Sequence, residues 1–271
     1  MQSTLRDPAV AGAFYPGSAS ALEHELQQLV VVSEERHELL ACVAPHAGYI
    51  YSGGVAGALY GHLDLPTRVI VIGPNHTGVG ARVAIAPHDR WRLPFGEHPL
   101  DVELARLIAD RIPSASLDEN AHWREHSLEV QIPFLLARQP DLRFVPICLS
   151  HLRLEESLEI GQTLAQLIED LGEEVGLVAS SDMSHYLEDS HARTLDRMAI
   201  DAALVRDPAS LYETVHREGI TMCGVVPATV VIEAANRLGA ASAHLVAYAT
   251  SGDVSGDRSA VVGYAGICVH K

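Results

Sequence analysis

Along the chain, short apolar runs rich in Val, Ile and Ala alternate with longer stretches in which apolar residues recur at helical spacing. The first pattern is that of buried strands and the second that of amphipathic helices. Together they predict strands at 40–44, 68–73, 82–86, 143–149, 175–180, 243–249 and 260–269, and helices at 21–30, 55–62, 101–111, 125–138, 154–171, 191–205 and 227–238. Strand and helix taking turns over most of the length points to an α/β layer fold rather than a helical bundle or a β-sandwich. The last two strands follow each other closely, with the Gly-containing stretch 251–256 between them. That predicts a glycine-shaped turn and an antiparallel hairpin, hence a mixed sheet. No Pro/Gly/Ser-rich linker, charge block or fixed repeat interrupts the series, so 1–271 reads as one domain.

Composition narrows the function. Lys and Arg number 19 against 35 Asp and Glu, a net charge of −16. Nucleic acid and anionic membranes both demand basic surface, so neither is an expected partner. No apolar run approaches the roughly 20 residues that span a bilayer. Nothing in residues 1–20 has the form of a secretory signal, so a cytosolic, cytoplasmic location is expected. Cys42, Cys148, Cys223 and Cys268 form no C-x-x-C pair, which favours reduced thiols over a disulfide framework or a zinc ribbon. The 15 histidines are a high count beside 19 Lys and Arg, and imidazole is the commonest metal ligand and the usual acid or base near neutral pH.

In an open α/β sheet, ligands collect beyond the carboxyl ends of the strands. Three predicted strands run into a small or turn-forming residue and then a histidine. The first leads to Pro45-His46-Ala47-Gly48-Tyr49, the second to Pro74-Asn75-His76, and the third to Ser181-Asp182-Met183-Ser184-His185. Three such histidines facing one sheet edge make the constellation that a metal site requires. Cys223 adds a thiol just before a helix that Pro227 suits as a first-turn residue and Gly239 can end. Ionising a free thiol at neutral pH costs about 2 kcal/mol, while a structural zinc site releases on the order of 10 kcal/mol. A cation can therefore carry that cost. His46, His76 and Cys223 form the candidate ligand set, and the remaining cysteines read as buried and inert.

Asp182 and His185 are the catalytic candidates, His185 as acid or base and Asp182 orienting it or joining the metal. Asp182 would equally fit an N-cap or Asx turn. Asn75 and Tyr49, beside the two histidines, are candidates to stand behind the metal ligands or in the substrate pocket. His122-x-x-Glu125-His126 fits the inverted zinc-protease pattern, with Glu125 as base; the competing reading places Glu125 and His126 behind the metal ligands or in the substrate pocket. Dinucleotide, Walker and G-x-S-x-G motifs are absent, and 253–257 lacks the spacing of a calcium loop.

The order of several segments resembles a known family: RDPAVAGAFYP at 6–16, APHAGY at 44–49, GPNH at 73–76, EHSLEVQ at 125–131, SSDMSHY at 180–186, MCG at 222–224 and SGDVSGDRSAVVGYA at 251–265. They are similar to those of the Memo family, also called AmmeMemoRadiSam system protein B. The resemblance implies a three-layer α/β/α fold with a central mixed sheet, similar to the class III LigB-type extradiol dioxygenases. It implies metal ligands at His46, His76 and Cys223, with Asp182 and His185 lining the same pocket. The dioxygenases use two histidines and a carboxylate on iron(II). A thiolate in the third place is softer and oxidisable, so copper or zinc are alternatives to iron (Fe2+), and dioxygenase activity does not transfer with the fold. The expectation is a redox or oxygen-dependent reaction on a small molecule or modified peptide. The rivals are a non-catalytic metal- or peptide-binding protein and a zinc hydrolase through 122–126. Radical-SAM and AMMECR1-domain proteins as partners are implied by the resemblance alone.

Overall fold

The structure, a computed structural model, describes residues 4–271. Four parallel strands form the centre of its main sheet, in the order Ala41–Ala44, Gly176–Ser180, Arg68–Pro74 and Arg143–Leu149. Antiparallel pairing sets in on both sides. Val83–Ile85 joins Arg143–Leu149 and carries Ala115–Leu117 beyond it. Val261–His270 joins Ala41–Ala44, pairs with Ser242–Thr250, and at its start pairs with His185–Leu187.

Alternation along the central strands sends their side chains into two separate cores. Val43, Ile70, Ile72, Ile147 and Leu177 meet Leu164 of helix Leu154–Leu171 and Val230 of helix Val225–Arg237 on one face. Cys42, Val69, Val71, Phe144 and Val178 meet Leu22 of Ala19–Leu29, Leu59 of Tyr49–Gly61 and Leu135 of Ile132–Arg138 on the other. Helices thus cover both faces of a mixed sheet, and strands buried on both sides read as continuous apolar runs. Among the described residues no helix is long and apolar enough to cross a membrane.

Several elements depart from the sequence reading. The helix expected from 125 begins only as a 3-10 turn at Glu129–Gln131, followed by Ile132–Arg138. Pro133 lacks an N–H and its ring would clash with a preceding turn, so it can open this helix but not lie inside it. The helix expected from 55 begins earlier, at Tyr49. Its glycines mask it in the sequence, yet Gly57 and Gly61 let it touch neighbouring backbone: a Cβ there would come within 2.2 Å of the Leu29 oxygen and 2.0 Å of the Val31 oxygen. The 251–256 turn does join a hairpin, but as a short helix, Ser251–Ser255, capped reciprocally by Thr250 and Asp253. Helix Pro208–Arg217 and the hairpin Arg90–Leu93 with Gly96–Pro99, to which Leu5–Arg6 adds in parallel, carry too few consecutive apolar residues to announce themselves.

Residues 118–128 lack regular structure, and a buried ion pair holds them. Arg6 donates to Glu129 Oε2 at 2.6 Å, to the His122 carbonyl at 2.7 Å and to the Glu125 carbonyl at 2.8 Å. Glu129 also accepts from the backbone of Ala9 and Val10 and from the Tyr15 hydroxyl. Every oxygen of the carboxylate is used, which is the condition under which a buried pair is tolerated. His122 lies beneath, its Nε2 donating to the Ala84 carbonyl at 3.1 Å. Burial, and then the Arg6 charge, push its pKa down to about 3.

Glu129→Gln, which strands the Arg6 charge, is expected to cost about 3–5 kcal/mol in urea unfolding. The unfolded His122 imidazole titrates near pH 6.5 but the folded one near 3, so unfolding takes up a proton between these values. Stability is whole above about pH 6.5 and drains as pH falls toward 3. His122→Gln should therefore lose less stability than the parent between about pH 7 and 5, read from paired urea midpoints.

Candidate metal centre

The strands Ala41–Ala44, Gly176–Ser180 and Arg68–Pro74 are neighbours and parallel, so the loops after their carboxyl ends converge. His46 lies in the first loop, 2 % exposed. Its Nδ1 is 2.9 Å from Ser180 Oγ. That hydroxyl donates its one hydrogen to the Ser127 carbonyl at 2.6 Å and accepts from Gln131 Nε2 at 2.8 Å. Toward His46 it can only accept, so Nδ1 carries the hydrogen and Nε2 the lone pair. Burial, then the charges of His126, His76 and His185, hold the His46 pKa well below its usual value, so the ring is neutral.

His76 lies in the loop after Arg68–Pro74. Its Nδ1 is 2.9 Å from Glu125 Oε1, and its backbone N–H donates to Glu125 Oε2 at 2.7 Å. Burial alone would raise the Glu125 pKa, but the hydrogen bond and charge of His76 and the Ser127 N–H overcome it and hold the carboxyl at about 2. An ionised carboxylate only accepts, so the His76 Nδ1 carries a hydrogen, and in the neutral tautomer Nε2 is the nitrogen with the lone pair. A carboxylate behind a histidine is the usual way to orient a metal-binding imidazole.

Cys223 approaches from the turn before Val225–Arg237. At Gly224 a Cβ would stand 2.3 Å from the Ser180 carbonyl, so only glycine lets this turn close on the strand end. Cys223 Sγ is 3.2 Å from His46 Nε2 and accepts the Asp182 N–H at 3.3 Å. Burial and then the Asp182 charge push the thiol pKa up. One donor atom from each of His46, His76 and Cys223 lies within 4.8 Å of the others.

His126 is a third imidazole at this place. It stacks on His76 with ring centroids 4.6 Å apart, lies 5.5 Å from His46, and has Nδ1 3.5 Å from Glu125 Oε1. Asp182 accepts the His46 N–H at 2.7 Å, and burial raises its pKa to about 7 against the opposing pull of the His46 and Ala47 backbone. It caps no helix, since Glu188 caps the following one, Asp189–Leu204. Nor does it orient His185, whose N–H donates to Thr221 Oγ1 at 2.7 Å and whose Nδ1 faces the Thr221 carbonyl at 3.0 Å. The backbone of 183–184 pairs with Gly263, and in such an extended stretch residues three apart point to opposite faces.

Three further expectations are corrected. Tyr49 is a core residue: it is buried against Phe134 and donates its hydroxyl to the Val130 carbonyl at 2.7 Å. Asn75 shapes its own loop, accepting from Thr77 Oγ1 and the Gly78 N–H and donating to the Val79 carbonyl. The 122–126 zinc pattern does not assemble, because no helix spans it and His122 is turned to Ala84 under Arg6. Ser180, Ser127 and Gln131 were missed. They neither titrate near neutrality nor favour metals, and their one signal was polarity within tracts that are otherwise buried.

Residues 6–268 match the family described as Memo-like protein. A MEMO1 family protein of Methanosarcina mazei is 42 % identical over 267 residues, which cover 98 % of this chain and 99 % of that one. A MEMO1 family protein of Aquifex aeolicus is 41 % identical over 267 residues, 97 % of this chain and 98 % of that one. An uncharacterised protein from Escherichia coli K12, of known crystal structure, superposes with a TM-score of 0.55 at 14 % identity, over 85 % of this chain and 99 % of that one, a likeness of fold alone. With similarity running through all the loops that build the histidine and cysteine cluster, the chain belongs to the Memo-like family.

Proposed function

We propose that His46, His76 and Cys223 bind one transition-metal ion, iron(II) foremost, and that the centre performs redox or oxygen-dependent chemistry on a small molecule or modified peptide. The observation that carries this reading is the state of the two imidazoles. Each has its Nδ1 hydrogen committed to an acceptor, at Ser180 and Glu125, so that in the neutral ring Nε2 is the lone-pair nitrogen, and one donor atom of each imidazole lies within 4.8 Å of the same thiol. The donor set suits such an ion. Two imidazoles and a sulfur form a soft to borderline site that magnesium or calcium would not select. The thiol, disfavoured as an anion by burial and by Asp182, is the kind of group whose ionisation a bound cation reverses. When bound, the ion would supply a redox couple and positions open to substrate.

The protein's own groups have separable tasks in this reading. Glu125 and Ser180 fix the orientation and tautomer of His76 and His46. Asp182 holds the His46 loop through its backbone. His126, stacked on His76 and lowered in pKa chiefly by burial, is a neutral base facing the site. His185, partly exposed on the third loop, is the group for exchanging protons with solvent.

Anaerobically purified protein is expected to carry about one iron per chain and Cys223→Ala to lose it; full retention by that variant would remove Cys223 from the site. Glu125→Gln should weaken metal binding by roughly 10–100-fold in a competition titration with a chelator. An unchanged affinity would mean that the carboxylate does not act through His76.

A further inference from the structure

A second group of imidazoles collects at the other end of the central strands. His37 lies in His37–Glu38, a short strand paired with Leu63–Asp64. His244 and His270 lie on the hairpin strands Ser242–Thr250 and Val261–His270. Val269 is opposite Ala41 and His270 opposite Ser242, so the group sits at the amino end of Ala41–Ala44, whereas His46 follows its carboxyl end. The strand alone separates the two places by about 10 Å.

The three rings are in contact. His37 and His270 stack at 3.9 Å and 17°, and the His244 ring lies 5.1 Å from His37 and 5.4 Å from His270. One ring nitrogen from each lies within 4.8 Å of the others, the same closeness as in the first site. His270 Nδ1 faces the Lys271 carbonyl at 3.0 Å; a carbonyl only accepts, so Nδ1 carries a hydrogen and, in the neutral ring, Nε2 is the nitrogen able to bind a metal. His62 brings a fourth ring to 6.0 Å from His244. Packing does not ask for this, since an aliphatic residue at any of these half-buried positions would cover the same surface without gathering four basic rings from four elements. Nor is the group closed off: His37 and His270 line a solvent-open cleft of about 510 Å³.

We infer that His37, His244 and His270 form a second metal site, separate from the His46 centre, for a borderline divalent cation such as zinc(II). Neutral imidazoles select zinc, copper or nickel over magnesium and calcium, and three of them leave a coordination position open. The ion would join the segment before the central strand to the hairpin that closes the sheet. Because it binds only where the folded chain has brought these elements together, it would stabilise the fold by mass action.

The test uses the full chain carrying His46→Ala and Cys223→Ala, titrated with zinc(II) alone by equilibrium dialysis. About one zinc per chain is expected to remain, with a rise in melting temperature, and both should vanish on adding His244→Gln or, separately, His270→Gln. Should the double background fold poorly, the same two substitutions in the parent chain are expected to remove one equivalent of bound zinc. Absence of saturable zinc binding in a folded double variant, or binding undiminished by both histidine substitutions, would overturn the site.

Discussion

The carboxylate of Glu129 does more than balance Arg6. Segment 118–128 supplies Glu125, His126 and Ser127 to the candidate centre, yet it has no helix or strand to satisfy its backbone groups. Buried backbone must find partners somewhere. Here two of its carbonyls are taken up by the Arg6 guanidinium, whose charge is in turn neutralised by Glu129. The N-terminal strand thereby fixes a loop more than a hundred residues distant in sequence, and the site inherits its geometry from that contact.

Within the site, uncharged groups decide what the charged and titratable ones can do. Ser180 has a single hydrogen, and Ser127 claims it; Gln131, held by the Tyr60 hydroxyl on its oxygen side, presents its amide hydrogens to Ser180 and Pro45. This short relay settles the tautomer of His46 without any ion pair. At His76 the same result is reached by an anion, Glu125. Two different chemistries thus hold the Nδ1 hydrogens of two neighbouring imidazoles.

Much of the architecture was legible in the sequence because strands buried on both faces announce themselves as apolar runs. The central strands and the terminal hairpin lie within a residue or two of their expected limits. Short, charged or glycine-bearing elements were not legible, since their formation depends on tertiary contacts: Leu5–Arg6 on the Arg90–Leu93 edge, the start of Tyr49–Gly61 on the backbone of Leu29. The convergence of His46 and His76 could be argued from strand-end position, whereas Cys223 rested on its place before a helix and Glu125 on the 122–126 pattern. The partners of Asp182 and Tyr49 could not, because which face a side chain takes depends on one-residue differences in register that no spacing rule resolves. The His37 group escaped notice for the opposite reason. Its members lie at the amino end of the central strand, where ligands are not expected, and only the antiparallel return of the last strand brings them together.

The place of Ala41–Ala44 in the sheet also governs when the protein can assemble during synthesis. This strand comes early in the chain, yet its two neighbours are Gly176–Ser180 and Val261–His270. At ribosomal speeds of about 5–20 residues per second, it waits on the order of ten seconds for its first partner and longer for its second. Until then its apolar side chains have only local segments or a chaperone for cover. His46 and Cys223, 177 positions apart, meet later still. Any ion they hold is therefore acquired after most of the chain has been made, from whatever the surrounding compartment offers at that moment.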